Sequence, residues 1–233
     1  MTGAESHPPV AAPRPASWPM FRAVVGVGII CSLAIVVVYE VTRPIIETNR
    51  IAMLERAVIE VLPRATSSSA FRLTDDGSFE PTGFDSEGEL VYAGYNDDKA
   101  LVGIAMVAEG MGYQDVVRIL YGYSPPQEAV VGISVLESRE TPGLGDRVET
   151  DPIFQSNFEQ LDVRLQPDGS ALVHAIEFVK PGEKEEAWQI DGISGATITS
   201  QAIADMLRRH CGTWIARVHP REGDFQYQEG GER

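Results

Sequence analysis

The longest unbroken apolar run lies near the start of the chain, where no residue from Ala23 to Tyr39 is charged. As a helix this run rises about 26 Å at ~1.5 Å per residue, just short of the ~30 Å of a hydrocarbon core. Phe21, Arg22, Glu40 and Val41 supply the missing turn, with Arg22 able to snorkel and Glu40 able to sit at the interface. Trp18 and Tyr39 stand where an aromatic belt would lie. The pattern therefore predicts a transmembrane helix over 23–41. Apolar positions then switch to helical spacing: Ile51, Leu54, Val58 and Val61 recur at steps of three and four, and Pro63 stops the run. A separate juxtamembrane helix is expected from Pro44 to Leu62, within a segment spanning 42–63.

Short β-like runs follow at Leu90–Ala93, Leu101–Val107, Val116–Gly122, Ala129–Leu136 and Ala171–Phe178, most of them bounded by Gly, Asp, Asn or Pro. Residues 64–69, Arg-Ala-Thr-Ser-Ser-Ser, read as a loop. A final helix is expected over about 201–217, where Ile203, Leu207, Cys211 and Ile215 form one apolar stripe. The fold class is α+β: an N-terminal transmembrane helix, then a domain over 64–233 with a mainly antiparallel sheet and packed helices.

A secretory signal is the competing reading of the apolar run. Signals have a shorter apolar region and end in a small-residue cleavage site; this run ends Val-Val-Val-Tyr-Glu. Gly28-Ile29-Ile30-Cys31 is no better as a lipoprotein box, because the residue before the cysteine is not small. An uncleaved anchor is preferred over a cleaved signal or a buried core helix. Basic residues on the two sides, Arg14 and Arg22 against Arg43 and Arg50, are evenly split and set only a weak direction. The orientation adopted is a cytoplasmic tail over 1–22, with Pro8, Pro9, Pro13 and Pro15 in a disordered leader, and the remaining domain outside.

Composition narrows the function classes. The chain has 233 residues, 19 basic and 34 acidic, for a net charge of −15. No basic cluster is available to bind nucleic acid phosphates. Two cysteines, Cys31 and Cys211, rule out a framework of several disulfides and an all-cysteine zinc site.

Two loops carry candidate chemistry. Asp191-Gly192-Ile193-Ser194-Gly195-Ala196-Thr197-Ile198-Thr199-Ser200 offers four hydroxyls and a permissive Gly195 just ahead of the final helix. On the residues alone, either Thr199 or Ser200 caps that helix, or its N-terminus receives an anion such as phosphate. Glu140-Thr141-Pro142-Gly143-Leu144-Gly145 suits a tight turn, and its glycines would let backbone approach a flat group. An ordinary hairpin loop fits the same residues.

The block Asp-x-x-Ser-Gly-Ala-Thr at Asp191–Thr197 closely resembles the flavinylation motif of the FMN-binding domain family. That family includes the G subunit of the Rnf electron-transport complex and the C subunit of the sodium-pumping NADH:quinone oxidoreductase. The Glu140–Gly145 block resembles the family's loop beside the flavin. Gly110-Met111-Gly112-Tyr113, Val179-Lys180-Pro181-Gly182, Trp188-Gln189-Ile190-Asp191 and Thr42-Arg43-Pro44 with Leu62-Pro63 give weaker support, and similarity runs from about 21 to 217. Phe154–Leu161 follows the loop much as in Rnf-type sequences. The resemblance implies FMN joined by a phosphodiester bond to Thr197. It implies a flavin transferase that makes the bond, with Asp191 in the sequence it reads. Asp191, Ser194, Gly195, Ala196, Glu140, Thr141, Pro142, Gly143, Leu144 and Gly145 would surround the cofactor.

The same resemblance implies an electron-transfer subunit of an ion-translocating Rnf-type oxidoreductase working between ferredoxin and NAD. Its partners would be other membrane and iron–sulfur subunits, and its FMN domain would lie on the periplasmic side of the inner membrane. The C subunit of a quinone reductase, or a stand-alone flavin carrier, is the alternative. Outside the family, the alternative is an anchored binding module without flavin. Elsewhere, Asp75-Asp76-Gly77 with Glu80, Asp85, Glu87 and Glu89 lacks EF-hand spacing and reads as a solvated acidic loop. His210-Cys211 reads as structural, and His174 has no evident partner.

Overall fold

The computed structural model describes residues 17–227, so the proline-containing leader before residue 17 lies outside the described residues. The chain forms two compact units, one ending at Asn49 and the other starting at Arg50. Helix α1 covers Ser17–Val61. From Ala23 to Tyr39 it is apolar all round, with Val24, Ile29, Leu33, Ile35 and Val38 all widely exposed. Its best window has a mean hydropathy of 2.5 with none of it buried. Among the described residues it is the one helix long and apolar enough to cross a membrane, and such a surface belongs in lipid.

The expected new helix at Pro44 does not form; α1 runs through it. Proline removes one helical N–H, but the adjacent turns are tied by side chains. The Thr42 hydroxyl donates to the Val38 carbonyl at 2.8 Å and that of Thr48 to the Pro44 carbonyl at 2.9 Å. Arg43 and Glu47 pair at 2.9 Å.

The second unit is built on a sheet of strands β1 (Ser67–Leu73), β2 (Phe79–Thr82), β3 (Leu90–Tyr95), β4 (Leu101–Met111), β5 (Val116–Ser124), β6 (Ala129–Glu137) and β7 (Leu161–Asp162). Their order is β2-β1-β3-β4-β5-β6-β7, and every neighbouring pair is antiparallel. Short helices α2 (Arg147–Thr150) and α3 (Pro152–Ser156) follow β6. Strands β8 (Glu177–Val179) and β9 (Gln189–Asp191) pair in parallel, and α4 (Thr197–Val218) closes the domain.

Alternation assigns the two faces of the sheet. Ile104, Met106 and Ala108 of β4, with Val117, Ile119, Tyr121 and Tyr123 of β5, pack against α4. The expected stripe of Ile203, Leu207, Cys211 and Ile215 is fully buried there. Burial pushes the Cys211 thiol up to about 12, as expected for a structural cysteine rather than a reactive one. The opposite face receives the end of α1 through a row of glycines. A Cβ at Gly94 would come within 2.6 Å of Leu62, and one at Gly103 within 2.7 Å. At Gly122 it would overlap the Val61 carbonyl oxygen, and at Gly132 it would lie 2.6 Å from that atom. Gly94 faces Gly103 and Gly122 faces Gly132 across the ladder, so one trough crosses four strands.

Several local expectations change. Ser67–Ser69, read as loop, lie in β1 because they pair with Tyr95, Gly94 and Ala93 of β3. β2 carries Pro81 on the outer edge, where a missing N–H costs no ladder bond. The strand expected over Ala171–Phe178 is mostly absent. A bridge between Leu165 and Leu172 folds that stretch back on itself, and His174 stacks on Trp188 at 3.8 Å. The acidic stretch makes a turn in which Asp76 accepts from the Ser78 hydroxyl at 2.8 Å and from the Thr74 hydroxyl. These bonds hold the Asp76 carboxyl down to about 2. Among the described residues no group of three or more His, Cys, Asp or Glu is arranged to hold a metal.

Gly122→Ala drives a methyl into backbone that cannot yield, and should cost roughly 3 kcal/mol or more, read as a lowered thermal midpoint of the solubilised full chain. His210 Nδ1 and the Tyr121 hydroxyl share a hydrogen bond of 2.7 Å, and burial pulls the imidazole down to about 4 from 6.5. Within that window the unfolded chain binds a proton that the folded chain refuses. Stability should therefore fall by up to about 3 kcal/mol as the pH drops through it, and hold above it. His210→Gln should flatten this dependence in urea titrations across the window.

Candidate functional site

The β4–β5 turn, the loop after β6 and the start of α4 meet at one end of the sheet. Glu140 joins them. It is 7% exposed, and its Oε1 accepts the Gln114 N–H at 3.1 Å while Oε2 accepts the Thr199 hydroxyl at 3.0 Å. A Cβ on Gly112 or on Gly145 would overlap this carboxylate. Both glycines are therefore required by close approach to Glu140. Thr141 adds a bond from its hydroxyl to Gln114 Oε1 at 2.9 Å.

The Thr141–Leu144 segment is a tight turn, closed by the Leu144 N–H donating to the Thr141 carbonyl at 3.1 Å. Pro142 occupies its second position and Gly143, at φ +79°, its third, the arrangement of a type II turn. The turn leaves Leu144 half exposed.

Asp191 ends β9. Its N–H donates to Asn157 Oδ1 at 3.0 Å, and its carbonyl accepts from Asn157 Nδ2 at 3.1 Å. Its carboxylate accepts the Gly182 N–H at 2.8 Å and 3.0 Å, which fixes the Lys180–Gly182 turn. Beyond it, Gly195 turns the chain at φ +87°. Arg147 steadies this turn, with Nη1 donating to the Ser194 carbonyl at 2.8 Å and Nη2 paired with Asp151 at 3.0 Å.

Helix α4 starts at Thr197, four residues earlier than its apolar stripe indicates. Neither Thr199 nor Ser200 caps it. Both are buried in its first turn, where Ser200 Oγ donates to the Ala196 carbonyl at 2.6 Å and Thr199 is bound to Glu140. The position ahead of the helix is Ala196, which has no capping side chain. The first backbone bond of the helix is from the Ser200 N–H to the Ala196 carbonyl, at 2.9 Å. The N–H groups of Thr197, Ile198 and Thr199 thus precede the intrahelical ladder and carry the positive end of its dipole. Thr197 is exposed, and its hydroxyl makes only a 3.4 Å bond to the Ile193 carbonyl.

A cleft of about 350 Å³ opens at this junction, within the usual size range of small-molecule sites. Of the residues singled out in the sequence, Glu140, Leu144, Gly145, Gly195, Ala196 and Thr197 line it. Thr141, Pro142, Gly143, Asp191 and Ser194 do not; they shape the turns behind it. Tyr113, Ile198 and Thr199 also line it, and Arg147 and Asn157 brace it. Tyr113 and Asn157 lie in stretches already noticed for family resemblance, whereas nothing in the local pattern marks Arg147.

Residues 112–211, which hold all of these cleft residues, match the model of the FMN-binding domain family. The G subunit of an ion-translocating oxidoreductase complex from Methanosarcina acetivorans is 28% identical over 190 residues, covering 78% of this chain and 85% of that protein. The G subunit of a Na(+)-translocating ferredoxin:NAD(+) oxidoreductase complex from Acetobacterium woodii is 27% identical over 180 residues, covering 76% and 81%. The crystal structure of NqrC from Shewanella oneidensis has the same fold, with a TM-score of 0.61 at 19% identity over 76% of this chain and 99% of that one. Residues 112–211 are thus similar to the FMN-binding domain family, and about three quarters of the chain is similar to the G subunits of ion-translocating oxidoreductase complexes.

Proposed function

We propose that this chain is the flavin-carrying, electron-transferring subunit of a membrane-bound, ion-translocating oxidoreductase complex of the Rnf type, with FMN joined to Thr197 through a phosphodiester bond. One observation carries the reading: an uncapped helix start presents an exposed threonine hydroxyl in the wall of a cleft, inside the stretch that matches the FMN-binding domain family. The residues present fit the group. The free N–H groups at the start of α4 suit a phosphate, and Arg147 brings a cation to the adjacent turn at Ser194. Tyr113, Leu144 and Ile198 give apolar walls for a flat ring, and Gly145 and Gly195 keep side chains out of its way.

FMN, when bound, supplies one- and two-electron redox chemistry. The chain's own residues have simpler tasks. Thr197 is the attachment point, not a nucleophile for turnover. The α4 dipole favours a negative phosphodiester by up to about 2 kcal/mol in a partly buried setting. Glu140 holds both walls of the cleft in fixed relation. The anchor keeps the domain beside membrane partners and raises its effective concentration for electron transfer. A flavin transferase is required for maturation, and Asp191, by shaping the turn ahead of the motif, presents the segment that the enzyme reads. The domain over 64–233 sits on the periplasmic side of the inner membrane, the tail over 1–22 inside, and the other subunits of the complex supply and accept electrons.

Co-expression with a flavin transferase should give a fluorescent band on a denaturing gel and an intact mass raised by one flavin nucleotide. Thr197→Ala should abolish both while leaving the fold unchanged; an equally bright band from that variant would move the attachment site elsewhere. Glu140→Ala strands the Gln114 N–H and the Thr199 hydroxyl. It should cost about 1–3 kcal/mol for each group left unsatisfied, checked by chemical denaturation.

A further inference from the structure

We propose that Tyr113 forms the aromatic wall of the cleft and lies against one face of the flavin ring. The inference rests on the flavin reading above and extends it to a residue outside the attachment motif and the Glu140–Gly145 loop.

Tyr113 has a locked backbone and an unpartnered side chain. Before it, Gly112 donates to the Asp115 carbonyl at 2.9 Å and leaves no room for a Cβ beside Glu140. After it, the Gln114 N–H is held by Glu140 at 3.1 Å, and the Gln114 side chain by Thr141 at 2.9 Å. Between these fixed points the phenol is 65% exposed and lines the cleft that holds Thr197. The tyrosines of β3 and β5 behave differently: Tyr92 packs on Phe84, Tyr95 on Tyr227, Tyr121 on His210 and Tyr123 on His219. Tyr113 makes no ring contact among the described residues.

A large aromatic exposed from a rigid turn can cover a ligand at little conformational cost. Leu144 and Ile198, 51% and 53% exposed, supply further apolar surface in the same cleft. A ring tethered to Thr197 must lie within reach of these three side chains. Stacking on Tyr113 then buries two flat apolar faces together.

Contact with a phenol quenches an excited flavin, because the phenol lends an electron that returns at once and no net chemistry results. The test uses the full-length chain made with the flavin transferase and kept in detergent micelles. Native emission of the wild type should rise on unfolding. Tyr113→Leu should raise native emission severalfold, towards the unfolded value, and Tyr113→Trp should keep it at or below wild type. Intact mass and the brightness of the denaturing-gel band should show equal loading in all three. Wild-type native emission from Tyr113→Leu at equal loading would overturn the proposal. Loss of loading in that variant would also overturn it, making Tyr113 a contact for the transferase. A bare wild-type mass would instead remove the flavin reading itself, and this inference with it.

Discussion

Glu140 accepts the Gln114 N–H with one carboxylate oxygen and the Thr199 hydroxyl with the other, and glycines at 112 and 145 close around it. These bonds join a hairpin turn, a loop and a helix that are far apart in sequence. A buried carboxylate is costly unless each oxygen finds a donor. Here the donors come from two different elements, so the cost of burial enforces their relative placement. The cleft is the space left between them, and its walls keep their spacing because the carboxylate spans that spacing. Replacing Gly112 or Gly145 by any larger residue pushes against the same group.

The sheet supplies the base on which this junction rests. One face carries the α4 stripe, and the other takes the end of α1 into a trough of four glycines. Glycine in a strand weakens it in isolation. Across β3 to β6 the four together let a helix carbonyl and a leucine approach the backbone more closely than any side chain would allow. With both faces filled, the strands that end at the cleft have little freedom to shift. Exposed positions at the cleft can then be chosen for what they contact rather than for packing.

Hydrophobic patterning made the large elements readable. The unbroken run from Ala23 to Tyr39 is an apolar surface on all sides, the short apolar runs of β4, β5 and β6 are strands buried on both faces, and the four-residue stripe on α4 is one buried side. The parts that escaped are held by polar bonds. The first turn of α4 is hidden from the pattern because Thr199 and Ser200 are buried and satisfied by Glu140 and Ala196. Ser67–Ser69 look like loop and become strand only because β3 is there to pair with them. Pro44 reads as a helix start because a local rule cannot see the side-chain bonds on either side of it. In the candidate site, Pro142-Gly143 was legible as a turn from local chemistry. The bracing by Arg147 was not, since its partner Ser194 lies 47 residues away.

For the phosphodiester proposed above, the same geometry supports choosing one hydroxyl out of the four between Ser194 and Ser200. Thr199 is 1% exposed and already donates to a carboxylate, and Ser200 is 0% exposed and donates to a carbonyl. An incoming phosphorus would have to break a satisfied bond and enter the core to reach either. Ser194 is exposed, but it precedes the left-handed turn at Gly195 and stands outside the cleft lining. Thr197 alone of the four is both exposed and part of the wall. It is also the first residue of α4, where three free N–H groups and the dipole already favour a negative charge. Access, reach and electrostatics converge on the hydroxyl whose own bond, at 3.4 Å, is the weakest to give up.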